Sequence, residues 1–326
     1  MSYFLAGDIG GTKTRLAIVS VQGTRVSIEH EVSFASQAYP KFETLLGEFL
    51  SGVDTPRCAA FGVAGPVQGR VVNTTNLPWR IDADALQQQA GFARCTLLND
   101  LEATAYGLPA LGPDDLLTLQ AGAANSTGNA AVIAAGTGLG EAGLYWDGRQ
   151  YQPFATEGGH ASFSPATELE FALLRHLQQQ HQHVSWERVV SGMGLLSLHD
   201  FLRQYRKVAV PDWLIEEMQS KDAAAAISKA ALAGRDAICV ETLDLFVRLY
   251  GAEAGNLALK VMSRGGLYLG GGIAPKILPL LQNGIFLEAF LNKGRLRPLL
   301  ASMPVRVILN DRAALYGPAL RASVQE

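Results

Sequence analysis

The chain lacks most of the features that would place it outside water or build it around metal or disulfide. Among 326 residues there are only three cysteines, Cys58, Cys95 and Cys239. They lie far apart in apolar surroundings and form no CxxC pair, which argues against a disulfide framework or a structural zinc site and predicts buried thiols. No stretch approaches the roughly 18 consecutive apolar residues of a membrane span. The start, MSYFLAGDIGG, has no basic segment ahead of a secretory apolar run, so a cytoplasmic protein without a membrane partner is expected. Thirty acidic residues against 27 basic ones, with no basic block, argue against an extended nucleic-acid surface and favour small molecules as partners. A GxxxxGK[ST] string is missing too, so any phosphate binding cannot come from a P-loop.

What the chain has is apolar bulk, 48% of its residues, and 34 glycines, some of them in runs at the ends of apolar strands. Its length suggests two domains. YFLAGDIGGTKTRLAIVSVQGTRVSIEHEVSF reads as strand, Gly turn, strand, turn, strand. YPKFETLLGEFLSGV has helical spacing, RCAAFGVAG returns to a strand, and DADALQQQAGF and ARCTLLND repeat the alternation, which indicates a mixed sheet with crossover helices. After LGPDDLLTL the pattern restarts. NAAVIAAGTGLGEAGLYWDG echoes the opening strand, Gly turn, strand, as two related halves would. The text from ATELEFALLRHLQQQ to about residue 262 is mostly helical, with a long amphipathic helix predicted across AGRDAICVETLDLFVRLYGAEAGNLALKVMSR. GLYLGGGIAPKILPLL is strand, Gly run and helix, with Pro275 near its first turn, and MPVRVILNDRAALYGPAL is a strand and a terminal helix that could return to the first domain.

In GDIGGTKT, Gly10 and Gly11 let the backbone approach an anion and aim successive N–H groups at it, while Thr12 adds a hydroxyl. A hairpin turn explains the glycines equally well. Asp8 beside such a loop calls for a cation between carboxylate and phosphate, the place of Mg²⁺ in nucleotide sites. Gly136, Thr137 and Gly138 repeat the grammar, so that two facing hairpins could hold a polyphosphate. Gly270, Gly271 and Gly272 before a helix suit an adenosine pocket or close strand-on-helix packing. Asn99 and Asp100 stand where an apolar strand gives way to a helix, a common N-cap arrangement. His176, His181 and His183 in RHLQQQHQHV resemble a metal string but read as a solvated helix end.

GDIGGTKTRLAI, LLNDLEATAYGL, GTGLG, TEGGHASFSP, WERVVSGMGL and LGGGIAPKI stand in the order and spacing of bacterial glucokinases of the Glk type, which the chain resembles from its first strand to its terminal helix. The neighbouring ROK sugar kinases share DIGGTKT, but their zinc-binding cysteine cluster has no counterpart here. Lys13 replaces the Asn frequent in the Glk family. The resemblance implies an actin-like ATPase fold (ribonuclease H-like): two α/β domains with a ligand cleft between them, a small one over residues 1–110 joined by the C-terminal helix at about 311–326, and a large one over 111–310. It implies ATP-dependent phosphorylation of D-glucose to glucose 6-phosphate, the first step of glycolysis, with ATP and Mg²⁺ as cofactors and a homodimer as the assembly. It places Asn99, Asp100, Glu157, His160 and Glu187 on the sugar, with Asp100 as the base. It places Asp8, Ile9, Gly10, Gly11, Thr12, Lys13, Gly136, Thr137, Gly138, Gly271 and Gly272 at the nucleotide, with Asp8 on the Mg²⁺ that ATP brings. The chemistry agrees: a hexose hydroxyl hardly ionises at neutral pH, so a carboxylate must accept its proton, and acceptors (two Glu, one Asp, the Asn carbonyl) with one His suit a ring of hydroxyls. Two other classes are a sugar-sensing regulator, which would carry an N-terminal helix-turn-helix where this chain starts with a strand, and a heat-shock chaperone ATPase, which would carry a substrate domain beyond the terminal helix. A kinase of another hexose is the third alternative.

Overall fold

The computed structural model describes residues 2–74, 76–220 and 222–324. They divide into two units, one of residues 1–116, 149–155 and 310–326 and one of residues 117–148 and 156–309. The strands in chain order are β1 (Tyr3–Ile9), β2 (Lys13–Gln22), β3 (Arg25–Ala35), β4 (Cys58–Val63), β5 (Val67–Gln68), β6 (Val71–Asn73), β7 (Arg80–Asp82) and β8 (Arg94–Asn99). After them come β9 (Leu116–Gln120), β10 (Ala130–Ala135), β11 (Leu139–Trp146), β12 (Tyr151–Thr156), β13 (Gly266–Gly270) and β14 (Val305–Ile308).

In the first unit the sheet order is β3-β2-β1-β4-β8. The Gly turn makes β1 and β2 an antiparallel hairpin, while β4 and β8 join on the other side in parallel, reached through crossover helices Phe42–Leu50 and Ala83–Ala90. Strand composition follows position. β4, in the middle, reads CAAFGV and is buried throughout, because helices cover both faces of a central parallel strand. Edge strand β3 is mostly exposed or half-buried. Along β1 the period of two sorts the core: Leu5 and Ile9 join the cluster under Phe42, Phe49 and Leu86, while Phe4 and Ala6 meet Leu315, Ala319 and Ala322 of the terminal helix Ala313–Ser323.

That second layer is built for close approach. A Cβ on Gly317 would lie 1.8 Å from the Ala103 carbonyl oxygen, and one on Gly107 would lie 2.2 Å from that of Ala313. Backbone meets backbone there, so helix Asp100–Gly107, which follows β8 directly, is clamped against the terminal helix. A small antiparallel sheet, β5-β6-β7, fills residues 67–82, where three-residue strands leave too little periodicity to read from sequence.

In the second unit β11-β10-β13-β14-β9 are neighbours, with β10 and β11 antiparallel and β13 and β14 added in parallel. The arrangement of an antiparallel hairpin at one side and parallel strands at the other repeats that of β2-β1-β4, so the sequence echo has a structural counterpart. Two elements differ from expectation. The long helix is Ala237–Val261, and it is not amphipathic: 15 of its 25 residues are buried, including Glu253, because sheet and shorter helices surround it. After β13 the expected helix at Pro275 is a 3₁₀ turn, Ala274–Ile277, followed by the four residues Leu278–Leu281. The three cysteines are buried thiols.

Gly317→Ala should lower stability by about 1–3 kcal/mol in urea unfolding, since neither backbone can yield. Gly47→Ala, exposed in helix Phe42–Leu50 with open space around its Cβ, should raise it by about 0.5–1 kcal/mol. Equal effects would show that the glycine contacts do not hold the terminal helix.

Candidate active site

β8 ends at Asn99, whose side chain caps helix Asp100–Gly107. Its Oδ1 accepts from the amides of Leu101 (2.9 Å) and Glu102 (3.4 Å), Glu102 returns a carboxylate to the Asn99 amide, and Nδ2 donates to Gly65 O (3.2 Å). This corrects one expectation. The Asn99 carbonyl cannot accept from a sugar, because both its lone pairs serve the helix; what Asn99 has left to offer is its second amide hydrogen. The N-cap and ligand readings of Asn99 and Asp100 are therefore not exclusive. Asp100 is the first residue of the helix, its Oδ1 accepting from the Leu101 amide at 2.9 Å, at the helix end where backbone dipoles favour a carboxylate.

The first Gly turn, from Gly10 to Thr12, is a tight link between β1 and β2. The Gly10 amide donates to Lys13 O (3.0 Å), the Thr12 carbonyl accepts from Ser36, and a Cβ on Gly11 would strike Asn76 at 2.8 Å. An anion-binding role thus rests on the Gly11 and Thr12 amides and the Thr12 hydroxyl. Ile9 is buried in the sheet, and the side chain of Lys13 is exposed at the start of β2. Asp8 does not stand in want of a cation. Arg15 meets it at 3.1 Å, with its other arm on the Asp311 carboxylate (3.0 Å) and a further bond to the Asp311 carbonyl. Burial pushes the Asp8 carboxyl above its usual range, and Arg15 opposes that. Arg15 holds one edge of the Asp8 carboxylate, and the side chain keeps 23% of its surface exposed.

In the second unit the structure gathers Glu157, His160 and Glu187. The His160 ring lies between the two glutamates, Nε2 4.0 Å from Glu157 Oε2 and Nδ1 4.0 Å from Glu187 Oε1. Glu157 and His160 are largely exposed, whereas Glu187 is mostly covered. Its Oε2 accepts from the Leu139 amide at 3.0 Å. Gly138 makes room for that contact, since a Cβ there would lie 2.4 Å from the same oxygen. The GTGLG turn is accordingly docked on residues 187–192: the Gly136 amide closes on Gly138 O, and Gly136 O accepts from Gly192, the first residue of helix Gly192–Arg206. Gly138 was expected to let phosphate approach. Its missing side chain also admits Glu187, and Thr137 is exposed at the tip of the turn.

Gly271 has a positive φ of 80°, and a Cβ would lie 2.3 Å from Ala135 O, so strand packing alone requires glycine there; Gly272 is open to 4 Å. Two contributors escaped sequence reading. His183, taken as part of a solvated helix end, lies beyond helix Glu168–Leu177 and donates from Nε2 to His160 O at 2.9 Å. His176 instead packs on Phe201 and meets Asp200 at 3.5 Å. Glu141 is buried behind the TEGGH turn, and no spacing rule marks it. Among the described residues no group of three or more His, Cys, Asp or Glu could hold a metal ion, and no helix is long and apolar enough to cross a membrane.

The fold defines a class first. Its two mixed sheets, each with a Gly-turn hairpin, are those of the actin-like ATPases: the structure matches the crystal structure of a glucokinase from an Antarctic psychrotroph with a TM-score of 0.87 at 32% identity, covering 99% of both chains, and that of a ROK family glucokinase from Streptomyces griseus with 0.67 at 21%. A family model described as Glucokinase matches residues 5–325. The glucokinase of Nostoc sp. (strain PCC 7120) is 46% identical, covering 99% of both chains. The chain belongs to the glucokinase family.

Gly138→Ala should cost about 1–3 kcal/mol by forcing Glu187 off the Leu139 amide, whereas Gly136→Ala, with open space, should cost under about 1 kcal/mol. Thermal unfolding of the pair checks this. Equal losses would mean that the Glu187 contact does not decide the residue at 138.

Proposed function

We propose that the chain transfers the γ-phosphoryl group of ATP to the 6-hydroxyl of D-glucose, with Asp100 as general base. The observation that carries this reading is the His160 ring set between Glu157 and Glu187, three residues of family sugar motifs joined on one turn and one neighbouring segment. Such a cluster accepts and donates around a ring of hydroxyls and fixes one orientation, which phosphoryl transfer needs more than any covalent step. Asp100 accepts the proton of the 6-hydroxyl as its oxygen bonds to phosphorus. Asn99 contributes an amide hydrogen to the sugar. The amides of Gly11 and Thr12, the Thr12 hydroxyl, Lys13 and Thr137 meet the phosphates, Gly10 shapes the turn that presents them, and the open Gly272 lies toward the adenosine.

Mg²⁺ fits as a companion of ATP, since it keeps its waters and phosphate oxygens and asks few ligands of the protein. Asp8 would supply that ligand from the carboxylate edge not held by Arg15. The ion supplies charge neutralisation on the phosphates. A homodimer in the cytoplasm is the assembly and location that accompany this reading, and sedimentation at micromolar protein tests the former.

A coupled assay over glucose, mannose, fructose and glucosamine with Mg²⁺·ATP decides between this reading and a kinase of another hexose or a non-enzymatic sugar sensor. Asp100→Asn should lose about 10²–10⁴ in turnover while calorimetry still shows glucose binding, because the amide keeps the size but cannot take the proton. Retention of more than about a tenth of wild-type turnover would remove Asp100 as the base.

Glu157→Ala and His160→Ala should each weaken glucose binding about tenfold to a hundredfold. The loss should vanish for the deoxyglucose that lacks the contacted hydroxyl, so a panel of 1-, 2-, 3- and 4-deoxyglucose assigns each side chain to one hydroxyl. Wild-type affinity in both variants for every sugar would take the turn out of the site.

A further inference from the structure

Behind the TEGGH turn lies an acidic residue that the proposed chemistry does not use. Glu141 sits on β11, two residues beyond Leu139, and is 2% exposed. The turn rests on this strand at both positions. A Cβ on Gly159 would lie 2.0 Å from Leu139 O, and one on Gly158 would lie 1.9 Å from Glu141 Oε2. A hydrogen bond from Thr156 Oγ1 to Glu141 O at 3.0 Å ties the turn to the strand, and within the turn the Gly158 amide donates to Thr156 Oγ1 at 3.2 Å. Neither glycine can be spared: the turn touches Glu141 with no atom between.

The other carboxyl oxygen, Oε1, is buried and meets no N–H or O–H donor. An ionised carboxylate left like that would be costly, so the site needs either a donor or a proton. Glu253, from helix Ala237–Val261, supplies the second acid. It is itself fully buried and paired with Lys260 at 3.5 Å, with Asn256 Nδ2 on its Oε2 at 2.8 Å. Lys293 stands beyond, donating to Asn256 Oδ1 (2.7 Å) and Ala252 O (3.0 Å), and burial lowers its pKa. Tyr250, from the same helix, gives its hydroxyl to Ile133 O. On the solvent side the titratable groups of the turn are Glu157 and His160, both exposed. Lys260 balances one of the two buried carboxyls, and the other must keep its proton, which the two then share.

We infer that the buried Glu141 carboxyl, backed by Glu253, is the seat of the Glu157–His160 turn, so that Glu141 is a positioning residue for the sugar. The inference rests on the glucose reading above for what the turn binds, but not for how it is held. Burial first and the nearby Glu253 second push Glu141 up to about 8, and burial pushes Glu253 upward as well. Below that pH a neutral acid packs against Gly158. Above it, the added negative charge has no donor, and it draws water or turn amides to itself at the expense of the packing that holds Glu157 and His160.

Two readouts on the full-length protein test this, one without ligand. Hydrogen–deuterium exchange of segment 156–162, corrected for the intrinsic pH dependence of exchange, should accelerate in wild type as pH passes about 8 and stay level in Glu141→Gln, which keeps a neutral group of the same size. Over the same range the glucose dissociation constant should rise about tenfold in wild type and stay flat in the variant, with turnover at saturating glucose little changed. Because the acid's folded pKa is raised above its ordinary 4.5, wild type should also lose stability relative to Glu141→Gln between about pH 4.5 and 8, and no further above that. If Glu141→Gln fails to fold, Glu253→Gln serves: with the neighbouring charge removed, the exchange step should move to lower pH. A segment indifferent to pH in wild type, or the same step in Glu141→Gln, would overturn the inference. Acceleration of the segment without glucose binding at any pH would support Glu141 as the seat of the turn and overturn glucose as the substrate.

Discussion

The hydrogen bond from the Leu139 amide to Glu187 is the contact on which the Glu157, His160 and Glu187 cluster depends. Leu139 opens β11, where a backbone leaving a turn has polar groups to satisfy. Its amide goes to a carboxylate, and its carbonyl lies under Gly159. One strand end thereby fixes three segments: the GTGLG turn, the TEGGH turn and the WERVVSG stretch that brings Glu187 and then caps helix Gly192–Arg206 through Ser191. Shift any of them and the glutamates no longer flank His160. Glycine recurs here because the partners of Gly138, Gly158 and Gly159 are oxygens of this strand and of Glu187, each closer than a Cβ allows.

In the first unit the constraint is different in kind. Asp100 stands in the first turn of a short helix whose amides need acceptors, and Asn99 meets that need by giving up its carbonyl. The helix is then pressed onto the terminal helix at Gly107 and Gly317 with no side chains between. Rigid backbone packing, at about 1–3 kcal/mol per disturbed contact, holds Asp100 where a flexible loop would not.

The succession of strands along the chain and the paired Gly turns were legible because apolar runs ending in glycine carry a clear period. β5 to β7 were not, since two or three residues show none. Ala237–Val261 misled because helical spacing says nothing about how many neighbours a helix has; even its Glu253 is buried. The sugar residues could be named from motif order, yet their geometry could not. That Gly138 faces Glu187, that Arg15 answers Asp8, and that His183 supports His160 are contacts between residues 49, 7 and 23 positions apart, and no local pattern encodes them. Glu141 was invisible for the same reason, being one acid in a strand whose burial, and the Glu253 carboxyl near it, come from distant parts of the chain.

The account's central claim is that Asp100 faces the hydroxyl that receives phosphate. A crystal structure with glucose bound measures this directly. The account predicts the sugar's 6-hydroxyl within about 2.6–3.2 Å of the Asp100 carboxylate, with Glu157, His160 and Glu187 on its other hydroxyls. A sugar bound with its 6-hydroxyl facing no carboxylate, or away from His160, would contradict it.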